Sequence, residues 1–126
     1  MGTKGVGNRM DESILNSIKK LLGIVKEDTD FDTDIIIHIN SILSVISQFG
    51  VGPAGGYSIT GESERWSDFL KEDKLLNSVK TYVYLRVRLL FDPPSSSAVL
   101  ESFNRTISEF EWRINLSAED KKEGDT

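Results

Sequence analysis

The sequence predicts an all-α protein, a single domain of about four main helices with a long glycine-rich loop between the second and the third. Three observations support this prediction. Apolar residues recur at spacings of three and four, which places them on one stripe of an α-helix. The apolar segments end at glycine or proline residues, which favour helix ends. The chain has 126 residues, enough for one domain with a core but not for two.

The first predicted helix covers Asp11–Leu22. Before it, residues 1–9 hold three glycines and almost nothing apolar, so we interpret them as a flexible leader or tag. Gly23 is expected to end the helix, because a glycine there can adopt the left-handed conformation that satisfies the last carbonyl groups. Ile24 then folds back onto Ile18. The predicted apolar face consists of Ile14, Leu15, Ile18, Leu21 and Leu22.

Four acidic residues alternate along Asp28–Asp34, and this arrangement suggests a calcium site. A helix–loop–helix calcium loop needs Gly at its sixth position and Glu at its twelfth, and Thr33 and Ile39 hold these positions. We instead interpret the acids as a helix start. In this interpretation Asp32 is the N-cap, and Phe31 packs onto the helix as a hydrophobic staple.

The second predicted helix continues to about Phe49. Its predicted buried face consists of Ile35, Ile39, Ile42, Leu43, Ile46 and Phe49. Ile36, Ile37 and Val45 widen the apolar stripe beyond what one contact surface needs. We therefore expect this helix to be covered on two sides, by the domain core and by a neighbouring subunit.

The residues that would carry metal or catalytic chemistry are scarce. The chain contains no cysteine, which excludes disulfides, thiolate catalysis and cysteine metal sites. His38 is the single histidine, and we interpret it as an ordinary partly buried or surface residue. Paired carboxylates are present, but the sequence shows no base or metal ligand beside them. We predict no metal, no cofactor and no catalytic residue, so an enzyme is not favoured.

A long loop, Gly50–Gly61, follows the second helix. It contains a G-x-G-x-x-G pattern, but the dinucleotide-binding fingerprint follows a strand and opens a helix, whereas this pattern follows a helix and includes a proline. Compact domains seldom carry so long a loop without a function, so we predict that it contributes to an interface. The alternative is that its apolar residues fold back onto the core. The candidate interface residues are Gly52, Pro53, Tyr57 and Ile59.

The central helix is predicted within residues 73–94, the densest apolar segment, after a short helical turn at Glu64–Leu70. A strand is the alternative, because apolar and polar residues also alternate from Thr81 to Leu89. Length favours the helix, since the pattern exceeds a typical strand and stops at the double proline Pro93-Pro94. The predicted core stripe is Leu76, Val79, Val83, Val87 and Leu90, and the turn contributes Trp66, Phe69 and Leu70.

The last predicted helix begins at the serines of residues 95–97, which can serve as N-caps. Its predicted core stripe is Val99, Phe103, Ile107, Phe110 and Ile114. Its exposed side carries the alternating charges Glu101, Arg105, Glu109 and Arg113, which support the helix as i,i+4 pairs. Residues 117–126 are polar and mixed in charge, and we predict a disordered tail there. The predicted domain therefore covers residues 10–116.

The charge balance is acidic, with a formal net charge of -5. Binding to nucleic acid without regard to sequence requires clustered Lys and Arg, so this balance argues against it. A surface past which DNA merely slides can still be acidic. No apolar run reaches the length of a membrane span, and the N-terminus lacks the apolar centre of a signal peptide. We therefore expect an intracellular protein.

Five segments form a pattern of packing and turn residues. These are Ile18–Ile24, Phe31–Ile36 followed by Ile39–Ser41, Gly50–Pro53, Val79–Leu85 with Leu89–Pro94, and Glu109–Arg113. This pattern resembles the small head–tail connector proteins of tailed bacteriophages and prophages. The resemblance covers about residues 10–116 and contains no catalytic signature.

The resemblance implies a structural virion protein of the head–tail neck, made in the bacterial host cytoplasm. Proteins of this kind assemble as a homo-oligomeric ring under the portal protein after DNA packaging and receive the tail-side stopper or head-completion protein. Packaged DNA passes through the channel without sequence-specific binding, and no membrane is involved. For this chain, the resemblance implies contacts through the Gly50–Gly61 loop and the C-terminal helix, where Trp112 and Arg113 are further interface candidates.

A helical regulatory or DNA-binding module is the alternative function. Such a module needs a basic recognition helix. The available cations, Arg86 and Arg88, lie too close to the predicted core stripe to form one.

Overall fold

Helices account for most of residues 9–124, the part of the chain that the computed structural model describes. The five α-helices are α1 (Ile14–Leu21), α2 (Asp32–Gln48), α3 (Trp66–Phe69), α4 (Leu76–Phe91) and α5 (Ser97–Gly124), with short 3₁₀ helices at Arg9–Asp11 and Asp73–Leu75. No β-strand occurs among these residues. The all-α prediction is confirmed, and the central segment is a helix rather than a strand. Most of the predicted leader, residues 1–8, lies outside the described residues.

Helix α4 is the centre of the core because it packs against both α2 and α5, while α1 packs against α2 and α4. The rings of Phe31 and Phe91 meet edge to face with centroids 5.4 Å apart, so the start of α2 lies beside the end of α4. These two helices are therefore antiparallel. Chain order and the short connection after α4 make α4 and α5 antiparallel as well.

The two-sided packing of α4 corrects its predicted core stripe. Four of the five predicted residues are buried, but Leu90 is 54% exposed. Tyr82 and Leu85, which lie outside that stripe, are buried instead. A single apolar stripe is typical of a helix with one neighbour, but α4 has neighbours on two sides, which explains the burial of Tyr82 and Leu85. Leu90 is exposed because this end of α4 extends past the helices that pack against it.

The predicted buried face of α2 is confirmed at five positions. Ile35, Ile39, Ile42, Leu43 and Ile46 are each at most 2% exposed. Phe49 is half-buried, and Ile37 on the outer side is 57% exposed.

The turn between α1 and α2 is built around Lys19, a lysine only 1% exposed. Its Nζ donates to the carbonyl oxygens of Lys26 (3.1 Å) and Asp28 (2.7 Å) and pairs with Asp32 Oδ1 at 2.7 Å. Two hydrogen bonds to carbonyl oxygens and the ion pair with Asp32 thus surround the ammonium group, which offsets the cost of burying the charge. This pairing corrects the predicted role of Asp32, because the N-cap position belongs to Phe31, whose side chain makes no capping hydrogen bond.

Gly23 ends α1 as predicted. Its φ of 84° lies in the left-handed region that L side chains rarely adopt. The Gly23 N–H donates to the Lys20 carbonyl at 3.1 Å, and the Ile24 N–H donates to the Lys19 carbonyl at 2.9 Å. This pair of bonds is the Schellman arrangement, which satisfies carbonyl groups at the helix end.

Helix α3 is short, and the apolar residues predicted to be buried there are buried: Trp66 and Phe69 on the helix and Leu70 just after it are 0%, 1% and 3% exposed. The Trp66 indole N–H donates to Ser17 Oγ on α1 at 2.9 Å. This bond satisfies a buried donor and connects α3 to the first helix.

Helix α5 is longer than the sequence predicts. Its backbone is helical to Gly124, whereas the sequence predicts a disordered tail from residue 117. No proline or glycine interrupts the segment before Gly124, and its Ala, Glu and Lys residues favour helix. Ala118 also packs against the core, and a Cβ added to Gly50 would lie 3.8 Å from the Ala118 Cβ. The end of α5 therefore lies beside the end of α2.

None of the helices in the part of the chain described by the structure combines the length and apolar character needed to cross a membrane.

We predict that Lys19→Ala lowers the free energy of unfolding by about 2–4 kcal/mol, because it leaves two carbonyl oxygens and the Asp32 carboxylate without their buried donor. The neighbouring variant Lys20→Ala removes the same charge from an exposed position, and its effect should stay within about 0.5 kcal/mol. Urea unfolding followed by circular dichroism measures both. Equal stabilities of the two variants would contradict the structural role of Lys19.

Candidate functional site

The connection between α2 and α3 carries four of the interface candidates; one set of hydrogen bonds holds it to α2, and a second set closes its last turn. The first contact is made by Asn40 on α2, whose Oδ1 accepts the Ile59 N–H at 2.7 Å. The Asn40 Nδ2 donates to the Ile59 carbonyl at 3.0 Å. Ile59 is 2% exposed, so its side chain belongs to the core of the single chain. In this conformation Ile59 positions the loop rather than offering an apolar surface.

The second contact is made by Glu64. Its carboxylate accepts the Thr60 N–H at 2.9 Å, the Thr60 hydroxyl at 2.8 Å and the Gly61 N–H at 3.3 Å. Partial burial favours the neutral acid, but these hydrogen bonds outweigh burial and lower the pKa of Glu64. The last turn of the loop is therefore closed by an ionised carboxylate.

Phe69 of α3 brings two loop candidates together. Gly52 has a φ of 93°, and a Cβ there would lie 2.5 Å from Phe69 Cε1, so only glycine fits without movement. The Tyr57 ring packs on the Phe69 ring with centroids 5.6 Å apart. Gly52 is exposed, and Pro53 and Tyr57 are half-buried. Gly52 and Tyr57 therefore share one surface over the Phe69 ring, and Pro53 follows Gly52 directly in the chain.

Tyr57 keeps its proton over the whole physiological range. Burial raises its pKa to about 12, and the nearby charges of Asp68 and Glu64 act in the same direction. Its hydroxyl is therefore neutral at physiological pH and can donate a hydrogen bond.

Trp112 and Arg113 lie on α5, on the side away from the core. Trp112 is 65% exposed, and Leu116, one turn further along, is 40% exposed. Ile114, two positions after Trp112, points the opposite way and is fully buried. The contacts of Arg113 are within α5: its guanidinium lies 5.3 Å from the Phe110 ring centroid and 3.0 Å from Glu109 Oε1.

A polar contact that the sequence did not indicate fixes the orientation of the outward face of α5, the side that carries Trp112 and Leu116. The buried Tyr82 hydroxyl of α4 donates to Glu111 Oε2 at 2.7 Å and accepts from Arg86 Nη1 at 2.8 Å. Burial raises the pKa of Tyr82 to about 12, and the hydrogen bond to Glu111 adds to this increase. Because Glu111 precedes Trp112, the bond sets the rotation of α5 and turns the indole outward.

A second exposed surface, here called the apolar end, consists of Phe31, Leu90, Phe91, Val99 and Leu100. The Phe31–Phe91 contact and the short connection between α4 and α5 place these residues at one end of the bundle. Val99 is 43% exposed, so its predicted place in the core stripe of the last helix is wrong. The first turns of α5 lie beyond the cover of the other helices, and spacing along one helix does not reveal where its neighbours end.

No group of three or more His, Cys, Asp or Glu side chains within the described part of the chain is arranged to hold a metal ion. The acidic residues before α2 instead serve the local fold. Asp28 Oδ1 accepts the Asp30 N–H at 3.1 Å, and Asp32 binds Lys19.

We predict that Gly52→Ala destabilises the protein by more than about 1 kcal/mol, because the new methyl group meets the Phe69 ring and the backbone conformation is strained. Gly55→Ala is the matched control, since no atom lies within 4 Å of its added Cβ. Its effect should stay within about 0.5 kcal/mol. Urea denaturation distinguishes the two variants, and equal midpoints would argue against the Gly52–Phe69 contact.

We also predict an alkaline decrease in stability that depends on Tyr82. The phenol loses its proton near pH 10 in the unfolded chain but at about 12 in the folded protein. The stability contribution is therefore complete below about pH 10 and is lost as the pH rises toward 12. In Tyr82→Phe the free energy of unfolding should decrease less steeply with rising pH. The raised pKa of Tyr57 accounts for part of the decrease that remains in this variant. Urea unfolding at several alkaline pH values measures this, and identical slopes would contradict the account.

Comparison with known proteins adds the identity of the family. A protein-family model described as "Phage connector protein" matches residues 14–121, which include every α-helix described above except the last residues of α5. No curated protein and no solved structure matched the chain in the corresponding searches. The match spans most of the chain, so the chain belongs to the phage connector protein family, whose members are structural virion components that contact other phage head or tail proteins.

Proposed function

We propose that the protein is a subunit of a ring-shaped connector that joins the portal of the phage head to the tail. The observation that carries this proposal, together with family membership, is the outward exposure of Trp112. Tryptophan is enriched at interface hot spots, and an indole held outward on a rigid helix has no role in the core of its own chain. The subunit is made in the bacterial host cytoplasm and takes its place at the head–tail neck of the virion.

Lateral contacts between copies explain why different surfaces of one chain are apolar. A closed ring uses head-to-tail contacts, in which each copy offers two different patches. The outward face of α5 is one candidate patch. The exposed side of α2 is otherwise polar, but Ile37 is 57% exposed there and is a second candidate contact, in keeping with the expectation that a neighbouring subunit covers this helix.

Contacts along the channel axis need further surfaces, one toward the portal and one toward the tail-side stopper or head-completion protein. The surface formed by Gly52, Pro53 and Tyr57 is a candidate for one of these two contacts. The apolar end, which lies at the opposite end of α2 and α4, is a candidate for the other. Ile59 supports the first region from within, because its backbone is held by Asn40.

Packaged DNA passes through the channel of the proposed ring without sequence-specific binding. The net charge of -5 supports a wall that DNA slides past rather than a surface that holds phosphates.

The alternative, a helical DNA-binding module, is less well supported because its candidate cations are engaged within the fold. Arg86 donates to the Tyr82 hydroxyl, and Arg88 donates to the Asp92 carbonyl and the Tyr84 hydroxyl. The Arg88 guanidinium also lies 5.5 Å from the Phe103 ring centroid. A recognition helix needs such groups free to reach base edges.

We predict that deletion of the gene in its phage or inducible prophage leaves filled heads beside complete but unattached tails. Electron microscopy of the lysate makes this visible. Normal tailed particles from the deletion strain would overturn the proposed function.

Complementation of the deletion then tests Trp112. We expect Trp112→Ala to lower the yield of tailed particles roughly tenfold or more, because truncation of an interface tryptophan costs about 2 kcal/mol or more per contact. Asn104→Ala, another exposed position of α5, is the control and should restore the yield. Circular dichroism of both purified variants confirms that each is folded. Full complementation by Trp112→Ala would remove this residue from the interface.

A further inference from the structure

We propose that the outward face of α5 on one copy binds a groove beside the α1–α2 turn of the next copy, an inference that rests on the proposed ring. The outward face is defined by Trp112 and Leu116. The groove is lined by Lys20, Gly23, Ile24, Val25, Lys26 and Glu27. The occupant of the groove is therefore a second copy of this same chain.

The outward face of α5 has the shape and composition of an interface anchor. Trp112 and Leu116 are adjacent on successive turns and form an apolar pair on a helix side that is otherwise polar. Glu109 precedes Trp112 by three positions and Glu119 follows Leu116 by three, so the two acidic residues flank this pair along the helix. Glu109 pairs with Arg113, whereas Glu119 makes no hydrogen bond or ion pair within the described part of the chain. The surface thus combines an aromatic anchor with one carboxylate, that of Glu119, which no described cation neutralises.

The groove offers complementary features. It is open to solvent and has a volume of about 530 Å³. Its apolar wall includes Val25, which is 66% exposed, and no atom lies within 4 Å of a Cβ added to Gly23, so space remains above that glycine. The ammonium groups of Lys20 and Lys26 make no ion pair among the described residues. The Trp112–Leu116 pair supplies apolar contact for such a site, and the Glu119 carboxylate supplies a charge opposite to that of the two lysines.

Both surfaces are held in place before they meet. Lys19 fixes the turn by donating to the carbonyl oxygens of Lys26 and Asp28. The Tyr82–Glu111 hydrogen bond fixes the rotation of α5. Little ordering is therefore needed on contact, which favours association between copies.

The positions of the two surfaces favour a continuous series of head-to-tail subunits rather than a symmetric dimer. Helix α5 packs on α4, and its outward face points away from that contact, whereas the groove lies at the end of α1, which packs against α2 and α4. Two different patches on different sides of one subunit make a head-to-tail contact, and repetition of such a contact gives a ring when the rotation closes.

The absence of cysteine permits a clean cross-linking test. Ser108→Cys places a thiol beside Trp112, and Glu27→Cys places one at the groove; both positions are exposed. The two variants are mixed in equal amounts and oxidised with copper phenanthroline, both as purified protein and in tailed particles from co-complemented deletion strains. We expect the mixed disulfide to form roughly tenfold faster than with Asn77→Cys, an exposed α4 position, in place of Glu27→Cys.

Adding Trp112→Ala to the Ser108→Cys chain should reduce the mixed disulfide to the rate of the Asn77→Cys control. Rates equal to that control, both in solution and in particles, would overturn the proposal. If those rates are equal while the gene deletion still yields heads without tails, the ring is joined through other surfaces and only this inference fails. Normal tailed particles from the deletion strain would instead remove the proposed function itself.

Discussion

Burial of α4 on two sides is the constraint on which the rest of the structure depends. The helix is covered by α2 on one side and by α5 on the other, so even its tyrosine at position 82 is fully buried. A buried phenol requires a hydrogen-bond partner, and Glu111 of α5 provides it. One packing requirement thereby fixes the register and rotation of the last helix, and with them the direction in which Trp112 points.

The sequence predicts the helical part of this arrangement well, because helix formation and one-sided burial leave local signals. The buried isoleucines of α2 recur at spacings of three and four, and Gly23 marks the end of α1. The length of the central segment also distinguished helix from strand. Each of these inferences depends only on residues within a few turns of one another.

The features that the sequence did not reveal depend on residues far apart in the chain. Lys19 looks like an ordinary helix-end lysine until the turn brings two carbonyl oxygens and Asp32 around it. Tyr82 and Glu111 are 29 positions apart, and no spacing rule connects them. Leu90 and Val99 fit helical stripes but lie at helix ends that the other helices do not cover. For the interface candidates, the sequence could select apolar residues in a loop, but only the fold distinguishes the buried Ile59 from the exposed Trp112.

The function that we propose follows from surfaces rather than from reactive groups. The basic side chains of α4 are used within the fold, while apolar side chains remain exposed on α5, on α2 and at the apolar end. The most direct test is a cryo-electron-microscopy reconstruction of the neck in tailed particles. Our account predicts a closed ring of copies of this chain between portal and tail, with Trp112 of each copy buried against its neighbour. A neck that lacks this chain would contradict the account.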